Sequence, residues 1–284
     1  MRIKRARAAV ALAAVAVLGL SACGSDSGDG GGGGEPKLDN GALGNIVEES
    51  DAKGGTLKFG KAGEWGDNTI DPGNTYYGYS WDMLRNFGRT LTMFKTEPGD
   101  AGLEVVPDLA TDLGKSSDGG KTWTYTLQDG LKYEDGSPIK SQDVAYAVLR
   151  SMDKTTFQTA PEYFRSMLDI TMCNKDEGVT KNCYDGPYRT PNFDTSSAVT
   201  TPDDKTIVFH LKEPFAGFDY MAQLPQTVPV PKAKDTGAKY TQHVIASGPY
   251  MFDGDSIPRP GSLSSGTPTG TPPRTRTARR CRTR

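Results

Sequence analysis

Residues 107–152, PDLATDLGKSSDGGKTWTYTLQDGLKYEDGSPIKSQDVAYAVLRSM, constrain this chain most, because turn, strand and helix signals follow one another there without a gap. Ser117, Asp118, Gly119 and Gly120 mark a turn. In the following KTWTYTLQ, Trp123, Tyr125 and Leu127 alternate onto one face of a predicted strand. Gln128-Asp129-Gly130 predicts a hairpin between that strand and Leu131-Lys132-Tyr133, since Asp-Gly supplies the positive φ of a tight reversal. A second reversal, EDGSP, follows at once. Ser141 takes the N-cap position of a predicted helix and Asp143 faces its positive end, while Val144, Ala147, Val148, Leu149 and Met152 make an apolar face. These devices say how the segment folds and leave open what it binds.

Their order carries more. Pro107-Asp108-Leu109-Ala110, the Ser-Asp-Gly turn, the aromatic strand, Asp129-Gly130-Leu131-Lys132-Tyr133, Asp135-Gly136-Ser137-Pro138 and Asp143-Val144-Ala145-Tyr146-Ala147, closing on Arg150, resemble the signature of family 5 extracytoplasmic solute-binding proteins. These are the receptors of ABC importers for peptides, nickel chelates and related solutes. The resemblance implies an α/β fold of the type II periplasmic-binding-protein kind, with a mixed sheet in the first lobe and a small inserted subdomain that carries the signature. It implies binding without chemistry: a solute held in a cleft between two lobes that close by hinge bending, then presented to permease subunits. In the family the signature frames the first lobe, away from the residues that choose the ligand.

The composition excludes several other classes. A net charge of -2 makes no case for nucleic acid, and two histidines, His210 and His243, supply neither a metal cage nor a catalytic triad. Both read as ordinary strand or loop residues. Asp203-Asp204 and Glu134-Asp135 are acid pairs that general acid–base catalysis could use, yet they stand in turn contexts, and no GxSxG, HExxH or phosphate-loop pattern accompanies them. The expectation is a protein that is not an enzyme, with no metal and no cofactor.

The N-terminus reads as an export signal. Arg2, Lys4, Arg5 and Arg7 precede an apolar stretch at 8–20, which is shorter than the roughly 20 residues that cross a bilayer. Leu20-Ser21-Ala22-Cys23 resembles a bacterial lipobox, which makes residues 1–22 a lipoprotein signal peptide and Cys23 the diacylated anchor; an ordinary signal peptide with an incidental cysteine is the alternative. Residues 23–53, with five consecutive glycines at 30–34, hold too little apolar surface to fold and read as a tether to the membrane.

Residues 54–257 are assigned to the first lobe. Leu57 and Phe59 alternate as a strand, Asp71-Pro72-Gly73 turns the chain, and residues 80–87 form a helix with Trp81, Leu84 and Phe87 at helical spacing. Between them Tyr76, Tyr77, Tyr79 and Trp81 crowd into six positions. Aromatic side chains offer large contact area, and in the family this segment borders the ligand cleft, so these are the candidate ligand contacts; packing against the helix and strands is the alternative. Pro161 begins a short helix. Cys173 and Cys183 bound a polar loop and read most simply as a disulfide in an exported protein, with a metal site as the alternative that lacks further ligands nearby. Ile207, Phe209 and Leu211 alternate along a strand, Pro214 opens a helix-like apolar segment, and Ser247-Gly248-Pro249-Tyr250 resembles the family's Gly-Thr-Gly-Pro-Tyr element in loosened form.

Residues 258–284 change character, with seven arginines and no acidic residue from Arg259 on, and read as a disordered basic tail. Its Arg-, Pro- and Thr-rich composition, with an odd cysteine at Cys281, suits a frameshift product, and the family's second lobe is expected to be absent; a natural basic tail or a genuine short protein are the alternatives. The resulting expectation is a monomeric, lipid-anchored solute-binding protein at the outer face of the bacterial cytoplasmic membrane. Its partners are an oligopeptide or other small solute and ABC permease subunits, and its binding is impaired if the chain is truncated. A non-binding structural lipoprotein or a non-functional fragment remains the other reading.

Overall fold

The computed structural model describes residues 70–252 together with the backbone of residues 263–265. The signal segment, Cys23, the tether, the strand expected at 57–59 and most of the basic tail lie outside the described residues. In chain order come helix α1 (Gly78–Phe87), strands β1 (Thr92–Phe94), β2 (Val105–Pro107), β3 (Lys115–Ser117) and β4 (Thr122–Thr126), and helices α2 (Ser141–Ser151) and α3 (Tyr163–Met167). Strands β5 (Val199–Thr200) and β6 (Thr206–His210), helix α4 (Phe218–Ala222), and strands β7 (Tyr250–Phe252) and β8 (Leu263–Ser265) complete the order. No helix among the described residues is long and apolar enough to cross a membrane.

The central sheet has the order β3-β4-β6-β5, flanked by the two-stranded pairs β1-β2 and β7-β8. Every one of these strand pairs is antiparallel. The mixed sheet that the resemblance implies is thus not seen among the described strands, where a parallel pairing occurs as the single bridge Met172–Tyr184. Pairing β7 with β8 draws three residues of the expected disordered tail into the fold; backbone ladders need no apolar side chains.

The alternation read from the sequence is realised: Trp123, Tyr125 and Leu127 are buried, as are Ile207, Phe209 and Leu211. Trp123 pairs with Phe209 and Tyr125 with Ile207 across the β4–β6 ladder. The hairpin expected at Gln128-Asp129-Gly130 is not one. Strand β4 turns back on β3 through Asp118–Gly120, where Asp118, Gly119 and Gly120 take positive φ of 51°, 65° and 95°. The Gly130 turn, with φ of 71°, leads instead into a separate reversal in which Tyr133 N–H donates to Ser137 and Ile139 N–H donates to Leu131. The ladder of β4 is filled on both edges by β3 and β6, so the local turn signal finds no free strand to pair with.

Helix α2 also starts one residue earlier than its hydroxyl suggests. Lys140 is the N-cap, its N–H donating to Asp143 Oδ2 at 3.0 Å, while the Ser141 hydroxyl reaches away to the Asp203 carbonyl at 2.5 Å. The helix lies between two cores. Val144, Ala145 and Val148 face the larger one, built on the sheet with Phe164, Phe209 and Phe218; Ala147 faces a smaller one with Leu84, Phe87, Val228, Tyr240 and Phe252. Burying a valine such as Val144 or Val148 is worth about 1.5–3 kcal/mol, and α2 places buried residues in both cores.

The Ser247-Gly248-Pro249-Tyr250 element closes the smaller core. Ser247 N–H and Gly248 N–H both donate to the Phe87 carbonyl, at 2.9 and 2.8 Å, and Arg89 N–H donates to the Ser247 hydroxyl. A Cβ on Gly248 would lie 2.7 Å from the Phe87 carbonyl carbon, so only glycine permits this approach.

Candidate solute site

Residues 71–75 are all buried and residues 76–79 all exposed, so the chain rises from the interior into solvent in one step. The buried part is held by polar groups from three directions. Asp71 accepts the Gly73 N–H, and its carbonyl accepts the Asn74 N–H and the Thr75 hydroxyl. Gln226, itself buried, donates from Nε2 to the carbonyls of Pro72 and Thr75, each at 3.2 Å. Thr159 donates its hydroxyl to Asn74 Oδ1 at 2.9 Å.

On this base Tyr76 and Tyr77 stand 57% and 50% exposed. Tyr77 and Tyr79 stack with ring centroids 5.5 Å apart and planes 6° from parallel. Tyr163, at the start of α3, is also exposed, and the neighbouring Tyr76 raises its pKa above the ordinary tyrosine value. Of the four aromatics expected at the site, the structure therefore brings Tyr76, Tyr77 and Tyr79 to one exposed ledge, whereas Trp81 packs half-buried against the larger core. Tyr163 was missed because it lies 87 positions from Tyr76 and no local pattern links them. The ledge offers stacking faces and hydroxyls, and residues 74–81 carry no charged side chain, so contact area and neutral hydrogen bonds are what it presents.

Beneath the ledge lies the fully buried side chain of Arg150. Its Nη1 and Nη2 donate to Asp71 Oδ1 and Oδ2 at 2.7 and 2.8 Å, and its Nε donates to Asp235 Oδ2 at 3.0 Å. Burial opposes the Arg150 charge, and Asp71, with Tyr188 and Asp235, more than restores it, so its pKa rises well above the ordinary value. The last helical turn of the run 107–152 thus grips the turn that carries the exposed tyrosines.

The acid pairs hold local structure. Glu134 bonds His243 Nε2 at 2.9 Å and accepts the Ala246 N–H; Asp135 pairs with Lys234. Asp203 accepts the N–H groups of Lys205 and Thr206, which lowers its pKa, and Asp204 pairs with Lys140. Cys173 and Cys183 have their sulfurs 1.97 Å apart, bonding distance, at the neck of the 174–182 loop. An open depression of about 580 Å³ lined by Ser116, Gly120, Trp123 and Pro214 lies at the β3 edge and gathers no charged groups. Among the described residues no cluster of three His, Cys, Asp or Glu side chains is placed to hold a metal ion.

Residues 104–256, more than half of the chain, match the family described as bacterial extracellular solute-binding proteins, family 5 Middle. The chain belongs to this family. It is 27% identical over 203 residues to the "Probable D,D-dipeptide-binding periplasmic protein DdpA" of Escherichia coli (strain K12), covering 69% of this chain and 33% of DdpA. It is 31% identical over 136 residues to the periplasmic oligopeptide-binding protein OppA of the same strain, covering 46% of this chain and 23% of OppA. Among solved structures, the clavulanic acid biosynthesis oligopeptide binding protein 2 superposes with a TM-score of 0.70 at 38% identity, over 81% of this chain and 39% of that one. The α/β fold is thus that of the family 5 binding proteins, and the relatives are binding proteins rather than enzymes. The chain spans 33% and 23% of the lengths of DdpA and OppA and 39% of the solved structure.

Proposed function

We propose that this family 5 chain receives a peptide or peptide-like solute on the Tyr76–Tyr77–Tyr79 ledge and serves an ABC importer, delivering the solute to membrane permease subunits. The names of its relatives, a D,D-dipeptide-binding and several oligopeptide-binding proteins, favour a peptide. The observation that carries the reading is the contrast between a deeply held turn and the exposed tyrosines it lifts into solvent, since exposed aromatics on a rigid support bind with little loss of freedom. The export signal and Cys23 support an extracytoplasmic chain anchored by acyl groups at the outer face of the membrane, with the 23–53 segment as its tether. In that setting Cys173 and Cys183 stay oxidised.

Calorimetric titration of the chain with a library of short peptides tests the site. Two stacking aromatic faces contribute about 0.5–1.5 kcal/mol each beyond buried area, so Tyr76→Ala/Tyr77→Ala weakens binding by about tenfold or more. Equal affinities for the wild type and this variant would sink the ledge as the site. Labelling cells with a radioactive fatty acid tests the anchor: label lost in Cys23→Ala is the expected result, and an unlabelled wild type refutes it.

A further inference from the structure

Building on the ledge as the solute site, we infer that Arg150 and Asp71 form a positioning clamp, which fixes the ledge turn against helix α2 and thereby sets solute affinity without touching the solute. Arg150 reaches four segments at once. Besides its two bonds to Asp71 and one to Asp235, its Nε donates to the Tyr188 hydroxyl at 2.9 Å and its Nη2 to the Gly237 carbonyl at 3.2 Å. The guanidinium lies over the Phe157 ring at 4.3 Å and the Tyr240 ring at 4.9 Å. Asp235 is in turn fixed by the hydroxyls of Tyr146 and Tyr188, at 2.7 and 2.5 Å, and by its bond from the Gly237 N–H.

The geometry favours a positional role over a purely stabilising one. A buried ion pair adds little net stability, because desolvation offsets most of the attraction. A two-pronged guanidinium–carboxylate pair, by contrast, fixes distance and direction together. From Asp71 the constraint passes through buried residues only: Gly73 N–H, Asn74 N–H and the Thr75 hydroxyl all bond to Asp71, and Tyr76 is next. Gly73 completes the fit, since a Cβ there would sit 2.8 Å from Arg150 Nη1.

Asp71→Asn keeps the side-chain size but turns an amide donor towards the guanidinium, so the paired bonds cannot form. A matched control is Asp108→Asn, which breaks another buried pair, Arg89 Nε to Asp108 Oδ1 at 2.8 Å, that bonds no residue of 71–79. Amide hydrogen exchange by mass spectrometry, thermal melting and peptide-library affinity are measured on the full chain. Asp71→Asn is expected to speed exchange of residues 73–78 by about tenfold with strands β4 and β6 unchanged, and to weaken solute binding by a similar factor. Asp108→Asn should lower the melting temperature and do neither. Unchanged exchange at 73–78, wild-type affinity despite faster exchange, or equal effects from the control would each overturn the clamp. If Asp71→Asn does not fold, Arg150→Lys, which keeps the charge but cannot make both bonds, carries the same expectations. A wild-type chain that binds no peptide refutes the ledge, while the exchange measurement still decides whether the clamp holds the turn.

Discussion

Replacing Cys173 and Cys183 together by alanine isolates what the bridge contributes. The two residues lie ten positions apart, and in the chain-entropy account closing so short a loop removes about 3 kcal/mol of unfolded-state freedom. The folded loop has other supports. Asn174 and Val179 exchange backbone hydrogen bonds at 2.8 Å, Cys173 N–H donates to Tyr184, Tyr184 N–H donates to Thr171, and Arg165 Nη2 donates to the Cys173 carbonyl at 3.0 Å. The native loop therefore persists in the variant, and the loss falls mainly on the unfolded side. For a folded region of this size each kcal/mol moves the melting temperature by about 2–4 °C, so the variant melts about 6–12 °C lower. Circular dichroism melts with and without a reductant read the effect. The reductant should bring the wild type down to the variant and leave the variant unmoved. Oxidised wild type and variant melting within about 2 °C of each other would refute the reasoning, because that difference corresponds to less than about 1 kcal/mol.

Two further outcomes follow from the buried groups. Burial pushes the Asp235 pKa up, but Arg150 and the hydroxyls of Tyr188 and Tyr146 pull it below the ordinary value, so its contribution is present above the unfolded pKa of about 3.9 and fades as pH falls through the lower folded value. Urea titrations should thus show Asp235→Asn less stable than wild type at neutral pH, with the gap narrowing below about pH 4; a gap that stays constant into strong acid counts against the assignment. Gly248→Ala drives a Cβ into the backbone at Phe87 and Asn86, neither of which can rotate away, and should cost about 1–3 kcal/mol in chemical denaturation, whereas a neutral result would mean the approach is looser than described.

Much of this fold was legible locally. Alternation along 122–127 and 206–211 named the buried faces of β4 and β6, the Ser-Asp-Gly cluster named a turn, and the crowding of tyrosines at 76–79 marked the ledge. The partner of β4 was not legible. Asp129-Gly130 advertises a hairpin with its neighbours in sequence, yet β4 pairs with a strand about eighty positions away, because Phe209 and Ile207 can be buried against Trp123 and Tyr125 only there. Ser141 was a plausible cap by residue type, and Asp143 took the task because its carboxylate reaches the Lys140 N–H while the hydroxyl finds the Asp203 carbonyl.

Arg150 marks the boundary between the two kinds of information. In the sequence it is a basic residue in the last turn of a helix, a place where arginine ordinarily points to water and favours the negative helix end. In the structure it is fully buried between Asp71, 79 positions before it, and Asp235, 85 positions after it. Sequence alone determined the turns, the strand faces and the family, since φ preferences and hydrophobic period are properties of a few adjacent residues. Tertiary structure decided which strands pair, which charges are taken out of water and what holds the ledge, because desolvation and hydrogen-bond direction depend on groups that only the folded chain brings together.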